Sequence, residues 1–328
     1  MIYSFAGACT MARRLSMINI CPIQSDSGLP TADLFHKIII IHSKILKMSS
    51  FINTQLQKAV ILNQLHHNGK LLVLPNIWDP LGAVLLESLG YSAIATASAS
   101  IAFSNGYPDG EKIPFADLLT ILQKIVRQVK IPVTADIETG YAINNHTLSE
   151  NIKKLVDTGI AGINIEDSNQ DNDSLNSLEA QCEKITLIKK TALSMGTPLF
   201  INARTDAYLK AGHLSGEEKL AEVIQRGKAY KDAGADGFYP IFLKTIEDIE
   251  AVIKAVVLPV NILLFPGIPD FESLQKTGVA RLSLGPGFLS AAINAMKNTA
   301  EKLLRYEGMN DAKENPVNFA YLNSLINH

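Results

Sequence analysis

The side chains best suited to chemistry are carboxylates at the ends of short apolar runs. Asp136 and Glu138 stand two residues apart after the run Pro132–Ala135, a spacing that sends both to one side of an extended strand. Glu166 closes the run Gly162–Ile165, and Asp109 lies in the loop after the run Ala93–Thr96. Four carboxylates converging on one place cannot all ionise comfortably without a cation among them. Oxygen donors without His or Cys favour a hard ion, Mg2+ or Mn2+, over zinc, with part of the coordination through water. The plainer reading is that these acids only cap the helices that follow them.

Other polar residues collect at the same strand ends. Arg204, in Ile201–Asp206, offers a planar guanidinium for a substrate carboxylate or phosphonate, or for a salt bridge that holds Glu166 or Asp136. Both roles stay open on the sequence. Asn202 and Asn76 also end apolar runs, and Asn202 is a candidate substrate contact. Ser98 and Ala99 are small, so their backbone N–H groups can approach an oxyanion.

What must position these groups is a repeated strand–helix unit. The apolar runs are Leu71–Leu74, Ala93–Thr96, Pro132–Ala135, Gly162–Ile165, Leu199–Asn202, Asp236–Tyr239, Pro259–Ile262 and Val279–Ser283. Segments of helical period alternate with them, from Pro80–Leu89 to Phe288–Leu304, and several end in a Gly suited to a left-handed cap. Eight such units predict an α/β fold, a (β/α)8 TIM barrel whose active site lies at the C-terminal ends of the strands. An open doubly wound sheet would alternate too, but Leu74–Trp78 carries no Gly-rich phosphate fingerprint.

Composition narrows the function classes. The 328 residues are 47% hydrophobic and 19% charged, with net charge −2. That argues against disorder and gives no basic footprint for nucleic acid. No apolar run approaches the ~20 residues of a membrane span. Three widely spaced cysteines suggest a reducing, cytoplasmic setting. Residues 1–47 differ from the rest, with five basic and two acidic side chains. They form no working signal peptide and are expected to be a disordered extension or to precede a natural start at Met48. Residues 48–328 are then expected to be a single barrel domain with C-terminal helices.

Ala135–Tyr141, Ile163–Asp167, Asn202–Asp206, Gly106–Gly110 and Arg281–Gly285, in order on successive strands, resemble the isocitrate lyase/phosphoenolpyruvate mutase family. The resemblance implies a (β/α)8 barrel, often with its eighth helix swapped between subunits of a homodimer or homotetramer. It implies Mg2+, a small α-oxo carboxylate substrate, and a C–C or C–P bond made or broken through an enolate-like oxyanion. By that likeness Asp136 is the principal metal carboxylate, and Glu138, Glu166 and Asp109 hold the metal's waters. Arg204 is the substrate-gripping arginine and Ser98 with its neighbours the carboxylate-binding loop.

The sequence also departs from the family. Glu138 stands where Asp is common, and Ala142 replaces a usual Gly. The loop Ser168–Ser177 holds no Lys, Cys or His, whereas the C–C lyases carry their acid–base Cys there. Cys182 does not replace it, because Leu178, Cys182 and Ile185 recur at helical spacing on an apolar face. The proton then comes from a metal-bound water, from Tyr141, or from His213. The expected function is a Mg2+-dependent lyase or phosphonomutase-type isomerase. The alternatives are a non-catalytic barrel that binds metal and α-oxo acid, or a transferase resembling ketopantoate hydroxymethyltransferase.

Overall fold

A computed structural model of the chain describes residues 54–169, 172 and 174–327. The expected extension at 1–47 lies outside them. Helix α1 (residues 54–67) precedes the first strand, which Pro75 divides into β1 (Leu72–Leu74) and β2 (Asn76–Ile77). Proline has no N–H to give to a ladder, and the strand changes partner at that point. β1 pairs in parallel with β11 (Arg281–Ser283), whereas β2 pairs with β3 (Ile94–Thr96). From β3 the parallel ladder runs through β4 (Val133–Asp136), β5 (Gly162–Glu166), β8 (Phe200–Thr205) and β9 (Gly237–Pro240). A bridge from Phe238 to Val260 reaches β10 (Asn261–Leu263), which pairs with β11 and closes the ring. Counting β1 and β2 as one, this is the eight-stranded barrel that the repeated units predict.

The outer layer follows the apolar periodicity. Helices α2 (Pro80–Ser88), α4 (Phe115–Gln128), α5 (Asn145–Asp157), α6 (Leu178–Ser194), α8 (Gly216–Asp232), α9 (Ile246–Val256) and α10 (Phe271–Thr277) lie where expected. In α4 the buried residues Leu118, Leu122, Ile125 and Val126 recur at three and four, which turns one stripe onto the sheet. Several starts are fixed by capping: Asp79 accepts from the Gly82 amide at 2.7 Å, and Ser215 forms a capping box with Glu218. The continuous core includes Ile163, Ile165, Ile185 and Ile188, all fully buried. Truncating any one of them to Ala would cost about 2–5 kcal/mol.

Helix α1 plugs the N-terminal end of the barrel. Leu62 is fully buried and lies so close to Gly162 that a Cβ there would meet its Cδ2 at 2.8 Å, so only glycine fits. His66 stacks on Phe200 with ring centroids 4.0 Å apart, and Gln55 donates to the Val156 and Ile160 carbonyls. Four short elements escape the sequence periodicity: α3 (Ser98–Ser104), the antiparallel pair β6 (Ser168–Asn169) and β7 (Ser174–Leu175), and α7 (Ala207–Lys210). After β11 come α11 (Gly287–Leu304), α12 (Met309–Lys313) and α13 (Phe319–Ile326). α11 buries none of its residues, although Ile293, Met296, Leu303 and Leu304 are apolar. Among the described residues no helix is long and apolar enough to cross a membrane.

Candidate active site

The barrel mouth is built around the turn that follows β4. Asp136 ends the strand, and its Oδ1 accepts from the Glu138 amide at 3.1 Å while Asn164 of β5 stands 3.5 Å from Oδ2. Strand alternation does not aim Glu138, contrary to the expectation from spacing. The strand stops at Asp136, and Glu138 is turned inward by a left-handed backbone with φ 51°. Its Oε2 accepts from the Glu111 amide at 2.7 Å and its Oε1 from the Tyr141 hydroxyl at 3.2 Å.

Glu111, which sequence reasoning passed over, clamps this turn. One oxygen, Oε1, accepts from the Thr139 amide (2.9 Å), the Thr139 hydroxyl (2.6 Å) and the Tyr141 amide (2.9 Å). From the other side Lys184 of α6 donates to the Thr139 carbonyl at 2.9 Å, and Asn151 of α5 to that of Tyr141 at 2.6 Å. Three strained residues, Glu111, Glu138 and Tyr141, all carry positive φ. Such backbone persists only when the surroundings over-determine it, and here they do. The signal for Glu111 was its position directly after Gly106–Gly110.

The electrostatics are those of acids short of a counter-charge. Burial pushes Glu138 up to about 8, and Asp136, Asp109 and Glu111 push it further in the same direction. Burial likewise lifts Glu166 to about 8, against the pull of Arg204 and with the help of Asp206, Asp136 and Glu138. Asp136 is raised by burial, opposed by Arg204 and its hydrogen bonds. Asp109 is exposed on the loop after α3, yet close enough to raise Asp136 and Glu138. The Tyr141 phenol is driven well above its ordinary value by burial and by Glu138, so it stays a proton donor.

Among the described residues no three His, Cys, Asp or Glu side chains stand ready to grip one ion directly. The donor set nevertheless fits a hard cation. Glu138 has only a backbone amide and a phenol for partners, and its acidic neighbours oppose its ionisation. An ion of this kind takes one or two carboxylates directly and reaches the rest through water.

The remaining predicted residues separate into distinct roles. Arg204 forms the salt bridge: Nη1 meets Glu166 at 2.9 Å, while Nε and Nη2 meet Asp206 at 2.6 and 3.0 Å. Asn202 donates to Asn164 at 2.9 Å inside the barrel. Asn76 is a tie rather than a ligand, because its Oδ1 accepts from the Leu284 and Gly285 amides and its Nδ2 donates to Thr96. Ser98 and Ala99 do not end a strand but begin α3, whose first turn has no side-chain cap. Asp167, next to Glu166, is a brace: it accepts from Tyr230 (2.6 Å), Arg226 (3.1 Å) and the Asp206 amide (2.8 Å). Cys182 is half-buried and lines an outer groove with Asn145, Thr186 and Ala229, at the margin of the face that Gln181, Ile185 and Ile188 bury. His213 is exposed after α7.

The family model described as phosphoenolpyruvate phosphomutase matches residues 62–304, which is the whole barrel. The chain belongs to that family. A crystal structure of a candidate lyase/mutase from Burkholderia cenocepacia J2315 superposes with a TM-score of 0.76 at 31% identity, over 83% of this chain and 96% of that one. The uncharacterized protein Rv1998c of Mycobacterium tuberculosis is 32% identical over 238 residues, 73% of this chain and 86% of its own. A 2-methylisocitrate lyase of Halalkalibacterium halodurans is 27% identical over 270 residues, 79% of this chain and 86% of its own. The family thus contains both lyases and phosphomutases, and the barrel described above is of its type.

Proposed function

We propose that the chain is a Mg2+-dependent enzyme that makes or breaks a C–C or C–P bond in a small α-oxo carboxylate, through an enolate-like oxyanion. The observation that carries this reading is the turn Asp136–Tyr141, which holds two carboxylates and a phenol at the mouth of a family barrel. Asp136 and Glu138, with Glu166 and Asp109 behind them, would hold Mg2+ or Mn2+, and the ion when bound supplies charge for the developing oxyanion. Arg204 keeps one N–H on each Nη after its bonds to Glu166 and Asp206, and offers these to the substrate carboxylate. The uncapped amides at Ser98 and Ala99 and the interior amide of Asn202 add further substrate contacts. Tyr141, protonated and tethered to Glu138, is the side chain best placed to give a proton at the reacting carbon.

The hairpin β6–β7 stands where the lyases of the resemblance hold their acid–base loop, and Cys182 lies outside the mouth. This favours chemistry in which proton transfer falls to Tyr141 or water, over a thiol-dependent route. The exposed apolar face of α11 supports packing of this eighth helix on another copy, as a homodimer or homotetramer; light scattering on the purified chain tests it. The enzymatic reading is tested with pyruvate in D2O followed by proton NMR. Exchange of the methyl protons that needs Mg2+ and is lost in Asp136→Asn is expected; no exchange, with pyruvate bound, would favour a binding protein.

A further inference from the structure

The loop Ser168–Ser177 carries no Lys, Cys or His, yet the root of its hairpin is tied to Arg204. Ser168 opens β6, is buried, and donates its hydroxyl to Asp206 Oδ2 at 2.5 Å. The same buried carboxylate takes Arg204 in a fork, Oδ1 on Nε and Oδ2 on Nη2. The Asp206 amide donates to Asp167 Oδ1 at 2.8 Å, and Asp167 is itself held by Arg226 and Tyr230. The other end of the hairpin returns to the same place. The Asn176 amide donates to the Asp167 carbonyl at 2.7 Å, and Asn176 Nδ2 donates to the Ser168 carbonyl at 3.1 Å. Arg226 Nη1 then donates to the Asn176 carbonyl at 3.1 Å.

A forked guanidinium–carboxylate pair is planar, so the plane of the Asp206 carboxylate sets the plane of Arg204. The Asp206 backbone is fixed through its amide, but its carboxylate can still turn about the Cβ–Cγ bond, a broad torsion. Ser168 gives that carboxylate a bond that does not come from Arg204 itself, and so opposes the rotation. The direction of the N–H groups that Arg204 keeps for a ligand follows from the same plane. We propose that Ser168 is a positioning residue: its hydroxyl fixes Asp206, Asp206 fixes the Arg204 guanidinium, and the root of the hairpin thereby aims the cation that meets the substrate carboxylate. The proposal rests on the reading of Arg204 given above. It gives the hairpin a part in substrate binding that needs no acid or base on the loop.

The test uses the full chain and two readouts: pyruvate binding by calorimetry in Mg2+, and the NMR resonance of the Arg204 Nε–H, assigned by its loss in Arg204→Lys. Ser168→Ala should weaken pyruvate about tenfold and move the Nε–H resonance upfield as its bond to Asp206 loosens. Ser168→Thr, which keeps the hydroxyl, should restore both. Mg2+ affinity should be unchanged in Ser168→Ala, because Ser168 bonds to Asp206 and not to the acids proposed for the ion. A resonance and an affinity that both stay at wild type in Ser168→Ala overturn the proposal. So does a folded Ser168→Thr that restores neither, or a loss of Mg2+ binding as large as the loss of pyruvate, either of which marks general damage to the mouth. If Ser168→Ala does not fold, Ser168→Cys, a weaker donor, takes its place with a smaller change expected in the same direction. If the wild type binds no pyruvate, the reading of Arg204 as the substrate's partner fails. The resonance alone then decides the positioning: a shift in Ser168→Ala that Ser168→Thr reverses upholds it, and no shift refutes it.

Discussion

The two walls of the barrel are built on opposite terms. On the side of β4, β5 and β8 the acids of the mouth are each held: Asp136 by the Glu138 amide, Glu138 by the Glu111 amide and Tyr141, Glu166 by Arg204. On the side of β10, β11 and β1 the charged group is Arg281, fully buried and, among the described residues, without a hydrogen-bond partner. Fixed acids that resist ionisation describe a place for a cation. Electrostatic preorganisation of this kind costs folding stability, and proteins keep it where charge arrives with the ligand.

The sharpest break in that comparison is Asp136→Asn, which removes the carboxylate at the centre of the acidic wall. Mg2+-dependent proton exchange should fall about a thousandfold or more, with the fold retained by circular dichroism. Retained exchange would show that the acids are only structural.

A smaller effect follows from pH. Burial pushes Glu138 up to about 8 in the folded chain, against 4.5 ordinarily, and raises Glu166 in the same direction. Between those values the folded state holds protons that the unfolded state has lost, so stability falls as pH rises. The metal-free protein should melt several degrees lower at pH 8 than at pH 5, and Mg2+ should flatten the slope. A metal-free melting temperature that rises over that range would contradict the assignment.

Glu111→Gln is expected to weaken Mg2+ about tenfold, because the turn it clamps loses a charged acceptor of three hydrogen bonds. Calorimetric titration measures this directly, and an unchanged affinity would make the clamp merely structural. The smallest effect belongs to Cys182→Ala, which should leave turnover near wild type and cost less than about 1 kcal/mol by denaturant unfolding. A large loss of activity there would move the acid–base chemistry away from the mouth.

Much of this was legible in the residues. Alternation of apolar runs with helical segments is dictated by burial, so all eight barrel strands and the long helices could be read from it. Asp136 and Glu166 were visible because strand ends point at the mouth. Glu138 was found for an incomplete reason, since its direction comes from a left-handed turn and not from strand pleating. Glu111 and Lys184 were missed because they act from a loop and from an outer helix, through bonds that close only in three dimensions. Arg281 stood in the sequence as a charge in the middle of an apolar strand. Its lack of a hydrogen-bond partner among the described residues is a property of the packed barrel, and no spacing could reveal it.

The central claim is that the acidic wall keeps protons until a divalent cation replaces them. The direct measurement is Mg2+ titration by calorimetry at pH 7, repeated in buffers of different ionisation enthalpy to count protons exchanged. Release of about one proton per ion bound is expected, because burial and its acidic neighbours push Glu138 up to about 8. Binding with no proton release, or no binding at all, would contradict it.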